Sequence, residues 1–240
     1  MLIDGVGARK AGKISEWERL ISAQTVFQSR FPEAVLVGGT AAACRVAALH
    51  AGHRISIDAD YVLPDLKKRF VAVLKKLEEE AGWSTNRLEP PVLILGHFQG
   101  VRTGIRQLMR KAPLETAVVR GFRVPTIGEM LRIKACLIVR RNTTRDFIDF
   151  AALFDHLGVA NSLRALDSLD TLYPQEGESS ITQQLALQLA EPKPWDLSET
   201  DLTRYKSLKG PYTDWNAVKQ RAYTAGQKII LQRLKNSGGK

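Results

Sequence analysis

Asp58 and Asp60, in the run Ser56-Ile57-Asp58-Ala59-Asp60, are the residues whose type and spacing are best suited to chemistry. Side chains alternate along an extended strand, so both carboxylates would project from one face with their Cα atoms about 7 Å apart. Two hard oxygen donors so placed suit Mg²⁺, which is usually held by one or two carboxylates together with the phosphates of a substrate. Where two such ions are held, they lie about 3.5 to 4 Å apart and stabilise the attacking and leaving oxygens alike. An edge strand turning acidic side chains to solvent gives the same short pattern, and Asp-x-Asp alone favours that plainer reading. Upstream, Gly38-Gly39-Thr40 follows the apolar run Ala34-Val35-Leu36-Val37. A double glycine between a strand and a helix lets backbone N–H groups approach a triphosphate; it is equally a tight turn with Thr40 as helix N-cap. The order strand, Gly-Gly-Thr, helix, Ser-x-Asp-x-Asp is more specific than either part.

The elements that must position these residues are read from periodicity. Trp17, Leu20, Ile21 and Phe27 recur at helical spacing across 16–30, behind Ser15 as N-cap. A small-residue helix is expected over 41–50, a strand over 55–63, a charged amphipathic helix over 65–81, and strands over 91–95 and 101–109. Beyond Pro125 helical spacing dominates, over 127–141, 144–157, 162–173, 181–190 and 215–234. The expected fold is α+β: a mixed sheet flanked by helices over 1–125, then a mainly helical unit over 126–240 that completes the active site.

Composition narrows the function classes. The chain has 240 residues, 44% of them hydrophobic, which is enough for a substantial core. No run reaches the roughly 18 apolar residues of a membrane span, and the first residues lack the apolar centre of a signal peptide, so a cytoplasmic location and no membrane partner are expected. Two cysteines, Cys44 and Cys136, exclude a disulfide framework, and the dispersed histidines argue against zinc. The net charge of +10 is concentrated: residues 100–145 carry eleven basic side chains against two acidic ones. Such a segment is either a solvated basic face or the footprint of a phosphate-rich partner, an RNA or a nucleoside triphosphate.

With these residues in place, the sequence resembles the nucleotidyltransferases of the DNA polymerase β superfamily, and among them the AbiEii-type toxin family. A second anchor of the resemblance is Glu129-Met130-Leu131-Arg132-Ile133-Lys134-Ala135 followed by Arg145-Asp146-Phe147-Ile148-Asp149, similar to that family's downstream Lys and Arg-Asp-x-x-Asp signature. The matches frame residues 36–157. The resemblance implies Mg²⁺ on Asp58 and Asp60; Gly38, Gly39, Thr40 and Ser56 in a phosphate pocket; Lys134 on the triphosphate; and Asp146 orienting a cation or helping the acceptor hydroxyl lose its proton. Arg141, seven residues beyond Lys134 on nearly the same helical face, is a second candidate phosphate contact. It also implies a toxin of a toxin–antitoxin or phage-defence pair, with a cognate antitoxin, that transfers a nucleoside monophosphate from a nucleoside triphosphate to RNA, tRNA above all. Arg102, Arg106, Arg110, Lys111, Arg120 and Arg123 are the candidate RNA face.

Each role has a structural competitor. Lys134 beside Met130, Ile133 and Leu137 could be a snorkelling lysine, and Asp149 an ion-pair partner of Arg141 or Arg145. One departure stands out: superfamily members commonly supply a third carboxylate from a later strand, and Val101-Arg102-Thr103-Gly104-Ile105-Arg106-Gln107-Leu108 has none. Either two aspartates suffice, with Gln107 as a substitute, or catalysis is lost and a nucleotide- or RNA-binding module remains. An acceptor other than RNA, a small molecule or a protein side chain, is the further alternative.

Overall fold

A computed structural model describes residues 16–38, 41, 58–119, 121–177, 179–202 and 208–237. The expected helix over 41–50 and strand residues 55–57 lie almost wholly outside them, as do Gly39, Thr40, Ser56 and Arg120; only Ala41 is described, buried and helical.

Helix α1 (Glu16–Arg30) leads into β1 (Val35–Val37), and then come β2 (Ala59–Leu63), α2 (Leu66–Glu78), β3 (Trp83–Glu89), β4 (Leu93–Phe98) and β5 (Val101–Gln107). The five strands form one sheet in the order β1-β2-β5-β4-β3, parallel between β2 and β5 and antiparallel elsewhere. A short hairpin, β6 (Thr116–Val119) and β7 (Phe122–Pro125), adjoins β1. The helical half follows: α3 (Ile127–Arg141), α4 (Thr144–Leu157), α5 (Val159–Leu166), α6 (Leu169–Leu172), α7 (Ile181–Ala190) and α8 (Trp215–Ser237). The molecule is thus a mixed α+β fold, a mixed sheet flanked by helices. Among the described residues no helix is long and apolar enough to cross a membrane.

Strand alternation determines what each face of the sheet does. In β2 the side chains of Ala59, Tyr61 and Leu63 are buried while those of Asp60 and Val62 are only half-buried. The buried set meets α1: the Phe27 and Tyr61 rings lie 4.8 Å apart, Phe27 and Phe98 5.4 Å apart edge to face, and Gln24 donates to the Thr103 hydroxyl at 3.1 Å. Packing α1 against this face leaves the opposite one, with Asp60, to the cleft. β2 is an interior strand between β1 and β5, so Asp60 is not on a solvated edge. One continuous apolar core runs from Phe27 and Tyr61 through Met130, Phe147 and Phe150 to Leu185 and Val218, joining the sheet to the helices.

Candidate active site

The parallel register sets Asp60 beside Gly104 and Val62 beside Arg106. Positions 102, 104 and 106 of β5 therefore share the face of Asp58 and Asp60. Arg106 Nε lies 3.5 Å from Asp60 Oδ1, and an Arg102 terminal nitrogen 3.8 Å from Asp58 Oδ2; all four side chains keep between 36% and 61% of their exposure. These are solvent-accessible pairs, whose weak Coulomb gain can be exchanged for a ligand's.

Two glycines frame Asp60. Gly38, just beyond β1, has φ +77°, and a Cβ there would stand 3.2 Å from Asp60 Oδ2. A Cβ on Gly104 would stand 3.3 Å from Asp60 Oδ1 and 2.6 Å from Leu95 Cδ2. The carboxylate therefore occupies a slot that only residues without side chains leave open on both sides.

From this slot a cleft extends across the sheet to α3. A cavity of about 130 Å³ holds Asp58, Asp60, Arg102, Gly104, Arg106 and Arg145; the adjoining one, about 300 Å³, shares Asp60, Arg106 and Arg145 with it. The larger cavity is apolar along Val37, Val62, Ile133 and Leu137, and its far end carries Arg140, Arg141 and Tyr173. Burial raises the Cys136 thiol above its ordinary pKa and pushes the Tyr173 phenol up to about 12, so both cavity residues stay neutral near pH 7 and neither is a ready nucleophile.

The arginines are placed by the α3–α4 turn. Asn142 adopts the left-handed conformation at φ 50° and ends α3, and its amide donates to Lys193 O at 2.8 Å. Trp195 Nε1 donates to Arg141 O at 2.9 Å, and Asp196 accepts from the Thr144 N–H at 2.7 Å, so the segment 193–196 straps the turn. Arg140, Arg141 and Arg145 are left exposed at the cleft.

The structure places several of the expected site residues away from the cleft. Lys134 is 2% exposed, with Nζ held at 3.0 Å from Asp146 Oδ1 and 2.8 Å from Asp149 Oδ2, and it does not line either cavity. An ammonium buried between two carboxylates ties α3 to α4, and Asp146, 1% exposed and also accepting from Thr143 Oγ1, is buried with it. Asp149 pairs with Lys134 at 2.8 Å. The candidate RNA face also divides. Arg110, whose side chain is 3% exposed, forks onto the fully buried Glu129 at 2.8 and 2.9 Å and is structural; Arg102 and Arg106 belong to the aspartate site; Lys111 and Arg123 are exposed. Gln107 does not replace a third carboxylate either, because it pairs with Leu63, on the other face from Asp60, and its amide bonds the backbone of Pro64, Lys67 and Leu108. Sequence reasoning missed Arg140 and Arg145 as cleft residues, though the run Arg-Arg-x-x-x-Arg across a helix boundary carried the signal.

Comparison with solved structures identifies the fold. Over 94% of this chain and 98% of the other, it superposes with a TM-score of 0.54 and 16% identity on a Helicobacter pylori protein described as a candidate nucleotidyltransferase. The JHP933 protein of Helicobacter pylori gives 0.50 and 15% over 92% and 96% of the two chains. The fold is therefore that of nucleotidyltransferase-like structures. No protein-family profile matches the chain. Among curated sequences, half of this chain aligns at 36% identity over 130 residues with the mycolic acid-containing lipids exporter MmpL11 of Mycolicibacterium smegmatis. A second alignment, at 36% over 128 residues, is with the heme uptake protein MmpL11 of Mycobacterium tuberculosis H37Rv. The alignments span 13% of the length of these relatives.

Proposed function

We propose that the protein is a nucleotidyltransferase that moves a nucleoside monophosphate from a nucleoside triphosphate to an RNA hydroxyl. The observation that carries this reading is the slot between Gly38 and Gly104, where Asp60, with Asp58 just before the same strand, faces a cleft that also bears Arg140, Arg141 and Arg145. Acidic donors on one wall and fixed, permanently charged guanidinium groups on the other suit a polyphosphate bound between them. The apolar stretch at Val37, Val62 and Ile133 offers a surface for the base.

Asp58 and Asp60, half exposed and adjoining open space, fit as ligands of a single Mg²⁺ shared with substrate phosphates. When bound, that ion would polarise the α-phosphate and offset charge on the leaving oxygens. Arg141 and Arg145 would bind the β- and γ-phosphates and hold the α-phosphorus in line with the acceptor. The acceptor oxygen bonds to the α-phosphorus, the bond to the bridging oxygen breaks, pyrophosphate leaves, and the hydroxyl proton passes to solvent. Lys134, Asp146 and Asp149 act at a distance, by fixing the turn that carries the arginines.

RNA as acceptor, tRNA in particular, is supported by the exposed cations Lys111, Arg123 and Arg140, since phosphate neutralisation supplies most sequence-independent affinity for nucleic acid. The toxin role and an antitoxin partner rest on the resemblance in the Asp58/Asp60 and α3–α4 motifs, and cytoplasmic action fits an RNA substrate. Incubation of the full chain with total tRNA, Mg²⁺ and each α-³²P-labelled nucleoside triphosphate tests the reading. Label on tRNA with the wild type and none with Asp60→Asn is expected; label on a protein or small molecule instead would replace the acceptor, and no transfer to any of them would refute the activity.

A further inference from the structure

The β5 strand lies beside β2 in parallel, and the three of its positions that share the face of Asp58 and Asp60 are Arg102, Gly104 and Arg106. A carboxylate supplied by β5 to join those aspartates around a second ion would have to come from one of these three positions. Two of them bring a permanent cation instead, each directed at one aspartate: Arg102 at Asp58 and Arg106 at Asp60. Gly104 brings no side chain, and any Cβ placed there would meet Leu95 and Asp60. Gln107, the nearest neutral donor on the strand, is bound to backbone on the other face. Among the described residues no group of three His, Cys, Asp or Glu side chains could hold a metal ion together.

On the nucleotidyltransferase reading, we infer that this site takes one divalent cation with its nucleotide, and that the Arg106 guanidinium occupies the place and charge role of a second. The electrostatics favour this over a crowded pair of ions. A second dication beside Asp60 would have to displace a guanidinium 3.5 Å from that carboxylate, or share its field with one. Arginine cannot shed its proton near neutral pH, so its charge stays in the site at any working condition. Its planar fork also reaches two oxygens of one phosphate, which a lysine in its place would not.

The test counts ions rather than turnover. Mn²⁺ bound per chain is read from the loss of the free-ion electron paramagnetic resonance signal. The full 240-residue chain is saturated in turn with the α,β-methylene analogue of each of the four nucleoside triphosphates, and a nucleotide-only blank is subtracted. One ion per chain is expected for the wild type and for Arg106→Lys. Two are expected for Arg106→Asp, which restores a carboxylate on β5, and thermal melting checks that this half-exposed position still folds. Two ions in the wild type would overturn the inference and leave the nucleotidyltransferase reading standing. One ion in a folded Arg106→Asp protein would also overturn it. If no analogue binds and no Mn²⁺ is taken up, both the inference and the underlying reading fall.

Discussion

Lys134 shows how far a residue's meaning depends on what surrounds it. From spacing alone it is a cation beside an apolar stripe; in the fold it is an ammonium with 2% exposure between Asp146 and Asp149. Removing one member of a buried ionic cluster leaves uncompensated charge, which costs about 3–5 kcal/mol. Lys134→Met should therefore lower stability by that amount, measured by urea unfolding, and Arg110→Met by less, because Arg132 still neutralises Glu129. A Lys134→Met protein with unchanged stability and a raised KM for nucleotide would return Lys134 to the cleft. Asp60→Asn behaves differently: its side chain is 36% exposed, so folding should be retained while transfer falls by roughly 10²-fold or more, the scale of losing one preorganised electrostatic partner. The two aspartates were legible in the sequence because strand alternation fixes a shared face. The burial of Lys134 was not, because α3 is covered on two sides: Ile133 and Leu137 line the cleft, while Lys134, Ala135 and Ile138 face inward.

At the scale of elements, periodicity located α1, α3, α4 and α7 with the expected bounds, since each has an apolar face that must be buried. It joined α5 and α6 into one helix and missed β3, whose residues from Ser84 to Glu89 are exposed. An edge strand with little to bury has no alternation to read. It also missed the β6–β7 hairpin, which turns at Gly121 with φ +84°. Gly38→Ala tests the element that shapes the site. A Cβ at φ +77° and 3.2 Å from Asp60 Oδ2 should cost about 1 kcal/mol in stability and displace the carboxylate. Transfer should fall far more than that melting change accounts for; equal losses of both would leave the slot without a special role. A pH test belongs to the α6–α7 junction. Asp170 is desolvated, which raises its pKa, but bonds from the Thr182 N–H, Ser180 and Arg233 outweigh this and hold it below the ordinary carboxylate value. Stability from a depressed carboxylate is fully present above its unfolded pKa and lost as pH falls through the folded one. Asp170→Asn should therefore flatten the acid limb of the stability curve below about pH 4, while a curve parallel to the wild type would remove Asp170 from the balance.

Across the whole molecule, the +10 charge separates into parts with different duties. Arg110 and Arg132 neutralise the buried Glu129, Lys134 the buried Asp146 and Asp149, and Arg102 and Arg106 the aspartate site. Among the described residues of 100–145, what is left for a large polyanion is the exposed set at Lys111, Arg123 and Arg140. Sequence counting could not make this division, because burial and pairing are properties of the fold. Reversing Lys111, Arg123 and Arg140 to Glu should weaken tRNA binding and reduce the slope of log K against log salt by about one per lost phosphate contact. An unchanged slope would place RNA elsewhere on the surface. The most direct test of the account compares α- with γ-³²P-labelled nucleoside triphosphate in the same tRNA reaction. Nucleotidyl transfer predicts α-label on tRNA and γ-label released as pyrophosphate, both lost with Asp60→Asn. Label from the γ position appearing on tRNA would mean phosphoryl transfer, and would contradict the central claim.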